Sequence, residues 1–284
     1  MTTLKATVSP SRIADFSGCP LRFRYRNIDR LPERPGMEAL RGTIVHKVLE
    51  DMFDLPREDR TEHGAKADLR RAFDAVLEED PGLRFAIDAG LQWPDDANTA
   101  SAESTEQFLA SLPQYIERYF LIERPDGFDP AHREQYVRDR IDDDLWLHGF
   151  VDRIDIAPTG EVRIVDYKTG RSPGPKFQQK ALFQLKCYAL LWQRMHDVPV
   201  RRLLMLFLGD GQRLVHDPTP SEISRAQEDV RSIWSEMKRA NELARWEAKP
   251  SKLCDWCSFQ MRCPAKSSHT PTFEPVPIEL PERP

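Results

Sequence analysis

Apolar and polar positions alternate along this chain in two rhythms. Between Met37 and Phe53, Leu40, Ile44, Val45, Val48, Leu49 and Met52 recur every three or four residues and share one helix face. Lys66 to Glu79 repeats the pattern with Leu69, Phe73, Val76 and Leu77. Glu106 to Ile122 follows it with a break at Pro113. From Leu145 the rhythm changes. Leu145–Ile156 and Val162–Lys168 are rich in β-branched and apolar residues, and the turn sequence Ala157-Pro158-Thr159-Gly160 joins them, so the pair predicts a β-hairpin. Phe177 to His196 predicts a helix and Leu203–Leu208 a short buried strand. Gly209-Asp210-Gly211 then predicts a turn, and Gln212–His216 a returning strand. Thr219-Pro220-Ser221-Glu222 spells a capping box with proline at the first helical position, opening a helix that runs to about Trp246.

The remaining stretches carry weaker signals. Thr2 to Ser11 predicts an entry strand or loop, and Asp80 to Ala102 an acidic loop. Ser267 to Pro284 has five prolines and no period, which predicts a disordered tail. The order of elements predicts a mixed α/β chain in five segments. These are an N-terminal segment at 1–54, a helical and acidic insertion at 55–131, a core at 132–218, a C-terminal helix with clustered cysteines at 219–266, and the tail at 267–284.

Composition narrows the class. Of 284 residues, 40% are hydrophobic and 31% charged, which excludes wholesale disorder. No apolar run approaches the roughly 18–20 residues that span a bilayer. Met1 to Pro10 lacks the apolar stretch of a secretory signal, so the expectation is a cytoplasmic protein with no membrane partner. Lys+Arg number 41 against 46 Asp+Glu, a net charge of −5, so any nucleic-acid contact must come from a local patch. Ser11 to Arg34 is such a patch, with six arginines against three acids. Within it Arg22, Arg24 and Arg26 alternate with Phe23 and Tyr25. That pattern suits phosphate contacts with base stacking, and equally an ordinary amphipathic edge.

Two constellations carry chemistry. In the hairpin, Asp166 and Lys168 lie two residues apart and so share a strand face, and the partner strand brings Asp152 beside them. Carboxylates with an ammonium suit Mg²⁺- or Mn²⁺-assisted hydrolysis of a phosphodiester. A surface hairpin with a simple Asp–Lys pair has the same letters. The second constellation is cysteine. Cys254-x2-Cys257-x5-Cys263, in a chain with an odd count of five and no signal peptide, points to a metal or cluster rather than disulfides. Cys19 and Cys187 are the candidates for a fourth ligand.

Asp152-x13-Asp166-Tyr167-Lys168, within GFVDRID and VDYKTG, resembles the PD-(D/E)XK nuclease superfamily and its RecB-type exonuclease branch. Gly42-x3-His46 and Gln184-x3-Tyr188 match two further motifs of that branch in the same order. The resemblance implies a restriction-endonuclease-like mixed sheet flanked by helices. It implies metal ligation by His46, Asp152, Asp166 and the Tyr167 carbonyl, with Lys168 catalytic and Gln184 and Tyr188 at the substrate. Glu134 and Glu50 are secondary candidates, and Asp155, of opposite parity to Asp152, belongs to the far face or the hairpin rim. Cys19, Cys254, Cys257 and Cys263 match the pattern of the iron–sulfur branch, similar to the AddB nuclease domain and to CRISPR-associated RecB-like nucleases. That implies a [4Fe–4S] cluster joining the two ends of the chain, with Zn²⁺ on the same thiolates as the alternative. Cys187, on the Gln184–Tyr188 helix, then reads as a buried free thiol. The implied function is a metal-dependent DNA exonuclease acting on single strands or ends in repair or recombination, with any motor activity supplied by a partner helicase or other repair protein. The alternative is a non-catalytic DNA-binding scaffold of such a complex or of a CRISPR adaptation complex. RNA cleavage has no dedicated 2′-OH-reading module behind it.

Overall fold

The computed structural model describes residues 2–33, 36–79 and 105–281; the acidic loop expected at 80–102 lies outside them. The expected hairpin forms. Strands β4 (Leu145–Ile156) and β5 (Val162–Lys168) pair antiparallel from Arg153↔Val165 to Ile156↔Val162. Gly160 closes the turn at φ +87°, a conformation that an L side chain adopts only at a cost. β6 (Val200–Phe207) lies parallel to β5, and β7 (Gln212–His216) pairs antiparallel with β6.

The other edge of β4 carries a strand that the apolar pattern does not announce. β3 (His132–Asp142) runs antiparallel to nearly the whole of β4. Along it Val137 and Ile141 are the buried hydrophobics, so no apolar alternation marks it in the sequence. Near the start of β4, β2 (Thr7–Val8) adds in parallel at Trp146 and Leu147. β2 and β5 thus take opposite ends of one edge of β4, and between them that edge of β4 has no strand partner among the described residues. That interval contains Asp152.

Helices cover the sheet on both faces. On one side, α1 (Pro10–Gly18), α7 (Gln178–His196) and α8 (Pro220–Glu242) bury Leu147, Val151, Ile154 and Ile164. On the other, α3 (Met37–Met52), α4 (Glu62–Glu79), α5 (Thr105–Ala110) and α6 (Pro113–Ile122) close over Val165, Tyr167, Leu204 and Leu206. The segment expected as an insertion therefore forms half of the second core, because Phe73, Phe108, Ile116 and Tyr119 have no other apolar surface to meet. The capping box at Thr219 is present, and α8 stops at Glu242, short of the expected Trp246. Trp246 instead stacks on Phe23 with ring centroids 6.1 Å apart.

One expectation is corrected. The tail is tied down over residues 267–281: β8 (Ile278–Glu279) pairs in parallel with β1 (Leu4–Lys5), and Asn241 exchanges hydrogen bonds with Val276. Proline spacing removed any period from the sequence, but Leu4 N–H and Ala6 N–H still find the carbonyls of Pro277 and Glu279. Arg22, Arg24 and Arg26 lie on the short α2 (Pro20–Phe23) and a π-helical turn at Arg24–Ile28, where carboxylates engage all three. Arg24 is buried against Asp29 and the rings of Trp246 and Phe273; Arg22 pairs with Asp15, and Arg26 with Asp15 and Glu33.

Thr219→Ala should lower unfolding free energy by about 1 kcal/mol, as loss of a helix N-cap does. Urea denaturation followed by far-UV circular dichroism measures it.

Candidate metal centre

The site is built where β4 parts from β5. Past Arg153↔Val165 the two strands no longer exchange backbone hydrogen bonds, so the Tyr167 N–H needs another acceptor. The Asp152 carboxylate supplies it at 2.7 Å. His46, projecting from α3, lies with Nε2 3.0 Å from the Tyr167 carbonyl. If Nε2 carries the proton and donates there, Nδ1 is left facing Asp152 at 3.7 Å. Beneath, Arg153 holds the Tyr167 ring. Its guanidinium is wholly buried, donates to the Tyr167 hydroxyl at 3.0 Å, and forms ion pairs with Glu123 and Asp155. Asp155 thus belongs to this structural pair, away from the Asp152 carboxylate.

Glu134 completes the group. In the β3–β4 register it falls opposite Asp152, between the pairs Arg133↔Arg153 and Gln135↔Val151, and it has φ +42°. Ligand atoms of His46, Glu134 and Asp152 lie within 4.8 Å of one another, the one such group of three among the described residues. One imidazole and two carboxylates form a hard nitrogen and oxygen donor set that suits Mg²⁺ or Mn²⁺. The electrostatics describe carboxylates crowded together and cut off from water. Burial pushes Asp152 up to about 7, the neighbouring Asp166 adds to this, and His46 opposes it. Burial also raises Glu134; His46 opposes this, and Glu50 and Asp166 add to it. Glu50 itself faces Lys47 on its own helix at 3.7 Å.

Asp166 and Lys168 project together from β5 as strand alternation requires. Asp166 is 2% exposed, and Lys168 Nζ donates to its Oδ1 at 3.0 Å. Burial lowers the Lys168 pKa, but the charge and hydrogen bond of Asp166 outweigh this and hold it above its ordinary value. A chain of contacts fixes the amine from behind. Lys168 Nζ donates to Gln184 Oε1 at 3.0 Å, and Gln184 Nε2 donates to the Tyr188 hydroxyl at 2.9 Å. The Tyr188 ring seats on Gly149, where a Cβ would stand 2.5 Å from ring carbon Cε1. The glycine of GFVDRID is therefore required by the tyrosine of QxxxY across the fold.

The structure brings His46, Asp152, Asp166, the Tyr167 backbone, Lys168, Gln184 and Tyr188 into one region. It places Arg22, Arg24 and Arg26 elsewhere, and Arg22 lines a cavity shared with Cys19, Cys254, Cys257 and Cys263. In that cavity Lys249 N–H donates to Cys19 Sγ at 3.4 Å and Ser251 N–H to Cys254 Sγ at 3.2 Å. Cys187 is fully buried among core side chains, and burial raises its thiol pKa. The sequence ranks Glu134 low because β3 carries no apolar signature; its register opposite Asp152 is the signal that finds it.

The curated relatives include the Gene 69 proteins of Mycobacterium phage D29 and Mycobacterium phage L5. They are 24% and 23% identical, over 93% and 92% of this chain and 99% and 97% of theirs. A crystal structure from Eubacterium rectale, named as a candidate exonuclease, has a similar fold. Its TM-score is 0.54 at 13% identity, covering 89% of this chain and 87% of that one. The sequence profile of the PD-(D/E)XK nuclease superfamily matches residues 7–264, nearly the whole described frame. With the paired aspartates, the lysine and the histidine assembled at the end of the hairpin, the chain belongs to the PD-(D/E)XK nuclease superfamily.

Proposed function

We propose that the protein is a Mg²⁺- or Mn²⁺-dependent DNA exonuclease working on single strands or ends. The observation that carries this reading is the meeting of His46, Glu134 and Asp152 beside the buried Asp166–Lys168 pair. His46, Glu134, Asp152 and Asp166 would hold the ion, with the Tyr167 carbonyl within reach of the same place. A bound divalent ion would polarise a phosphoryl oxygen and lower the pKa of a water molecule. Lys168, kept as an ammonium by Asp166, orients the attacking water and offsets charge that grows on the phosphate. Gln184 and Tyr188 keep that amine from turning away. A role in repair or recombination, with a helicase supplying unwound strands, suits a nuclease of this kind in the cytoplasm.

Cys19, Cys254, Cys257 and Cys263 line one cavity and would hold a [4Fe–4S] cluster, with Zn²⁺ on the same thiolates as the alternative. Backbone N–H groups already point at two of the sulfurs, as thiolates bound to iron call for.

Three outcomes are expected. Lys168→Ala and Asp166→Ala should each lower Mg²⁺-dependent cleavage of end-labelled DNA by about 100-fold or more while melting as the parent does; an unchanged rate for Lys168→Ala overturns the assignment. Gly149→Ala should lower cleavage more than Tyr188→Phe, because it displaces the whole ring rather than one hydroxyl, and the two rates under saturating Mn²⁺ make the comparison. Anaerobically purified protein should be brown and contain iron, and Cys19→Ser should lose both colour and iron. Colourless protein with stoichiometric zinc rejects the cluster.

A further inference from the structure

One face of the β3–β4 ribbon runs out of the metal centre and, among the described residues, is open at Tyr136 and Phe150. Tyr136 and Phe150 are Cα partners across the two strands, with ring centroids 5.1 Å apart. They are 41% and 55% exposed, while Val137 and Val151 beside them are buried in the core. Strand alternation puts Phe150 on the side of Asp152 and Tyr136 on the side of Glu134. The aromatic pair therefore sits one two-residue step, about 6.8 Å, from the acidic pair. One step further, Arg138 faces His148 in the same register. The Tyr136 ring reaches the His148 ring at 5.9 Å, and the Arg138 guanidinium lies 4.5 Å over Trp146.

The far end of this stripe is cationic. Among the described residues, neither Arg138 nor Arg12 has an ion-pair partner, whereas Arg22, Arg24 and Arg26 are all taken by carboxylates. Arg12 is held by a hydrogen bond from Nη1 to the Thr7 carbonyl at 3.1 Å. Both guanidiniums stand close enough to His148 to add to the effect of burial in lowering its pKa. Arg138 Nε and His148 Nδ1 are shut off from solvent with no hydrogen-bond partner. An ordinary cross-strand aromatic pair explains the ring contact. It does not explain two unpaired guanidiniums at its end, in a chain with an excess of acid. Open aromatic faces with adjacent fixed cations match one kind of ligand, a polyanion whose bases are not stacked on each other. Duplex bases stack on their neighbours and offer no such faces.

We infer that the β3–β4 ribbon is a track for an unpaired nucleic-acid strand, with a base stacked on Tyr136 and Phe150, its neighbouring phosphate held by Arg138 and Arg12, and the next phosphodiester delivered to His46, Glu134 and Asp152. This rests on the nuclease reading and adds to it the surface that the unpaired strand follows and the direction from which substrate arrives.

The test is fluorescence anisotropy of the full chain with a labelled single-stranded DNA oligonucleotide and with the matching duplex, in Ca²⁺. Tyr136→Ala with Phe150→Ala should weaken single-strand binding by about 5- to 100-fold, the worth of one stacked base. Tyr136→Leu with Phe150→Leu should weaken it similarly, and Tyr136→Trp with Phe150→Trp should keep it. Duplex binding should be the same in all three. Arg138→Gln should reduce the slope of log affinity against log salt by about one. Unchanged single-strand affinity in the alanine pair, or full affinity in the leucine pair, overturns the track; the latter would mark an apolar protein contact. The tryptophan pair separates loss of stacking from loss of fold. Cleavage by the parent and by Asp166→Ala is read separately, so the track can fail while the nuclease stands, and the reverse.

Discussion

Everything at the centre depends on one peptide, that of Tyr167. Its strand, β5, loses its antiparallel neighbour one residue pair too early, which would leave a buried N–H without a partner. Asp152 caps that N–H, and His46 meets the carbonyl of the same residue from another helix. The Tyr167 ring packs edge-on against the His46 ring, and its hydroxyl accepts from Arg153. Backbone satisfaction and ligand placement are thus one constraint. The side chain that replaces a missing ladder bond is also the carboxylate that the metal centre needs. Removing Asp152 would open a hole in the sheet as well as in the site, which explains why Asp166 and Lys168, anchored within a continuous strand, are the cleaner positions at which to separate chemistry from folding.

The two ends of the chain meet a second constraint. Cys19 and Cys254 are 235 positions apart, yet both line one cavity. Contacts that do not involve sulfur already hold that junction. The Tyr25 hydroxyl donates to the Arg262 carbonyl at 2.7 Å, Leu21 N–H to the Glu247 carbonyl at 3.1 Å, and β1 pairs with β8. Closing a loop of that length costs conformational entropy that grows only slowly with length. Against that cost, the buried rings of Phe16, Phe23 and Trp246 pack across the junction, and Arg24 reaches over it to the Glu274 carbonyl and the Trp246 and Phe273 rings. Arg22 and Arg26 pair within the N-terminal segment, with Asp15 and Glu33.

What the sequence made legible follows from how strongly burial patterned it. α3, the hairpin and the cap at Thr219 are legible because their apolar or capping residues recur at fixed intervals. His46, Asp152, Asp166, Lys168, Gln184 and Tyr188 are legible as spaced letters, and the fold supplies the reason for the spacing: each sits on an element whose period points it inward. β3 is illegible because its outer face is polar and its inner face contributes little, so Glu134 has no patterned neighbours to announce it. The tail is illegible because it is held by backbone hydrogen bonds, which carry no residue code. Arg153 is hidden for a different reason: a buried guanidinium among Glu123, Asp155 and Tyr167 looks, in sequence, like any polar residue on a strand.

Net charge also has a different meaning once the pairs are placed. At −5 the chain as a whole should repel a polyanion. Much of its positive charge is paired within the chain, on Asp15, Asp29, Glu33, Asp129 and Asp217. A cation already paired adds little field at a distance, so the unpaired guanidiniums of Arg12 and Arg138 count for more than their number. Arg138 stands on the same ribbon as the acidic centre, and Arg12 reaches the Arg138 end of it from α1; the carboxylates alone would repel a phosphate until a divalent ion arrived. Attraction at one end of the ribbon and repulsion at the other, with aromatic faces between, would hold a strand near the centre while making its final approach depend on the ion. In such an arrangement metal loading, rather than encounter, controls when the phosphodiester is committed.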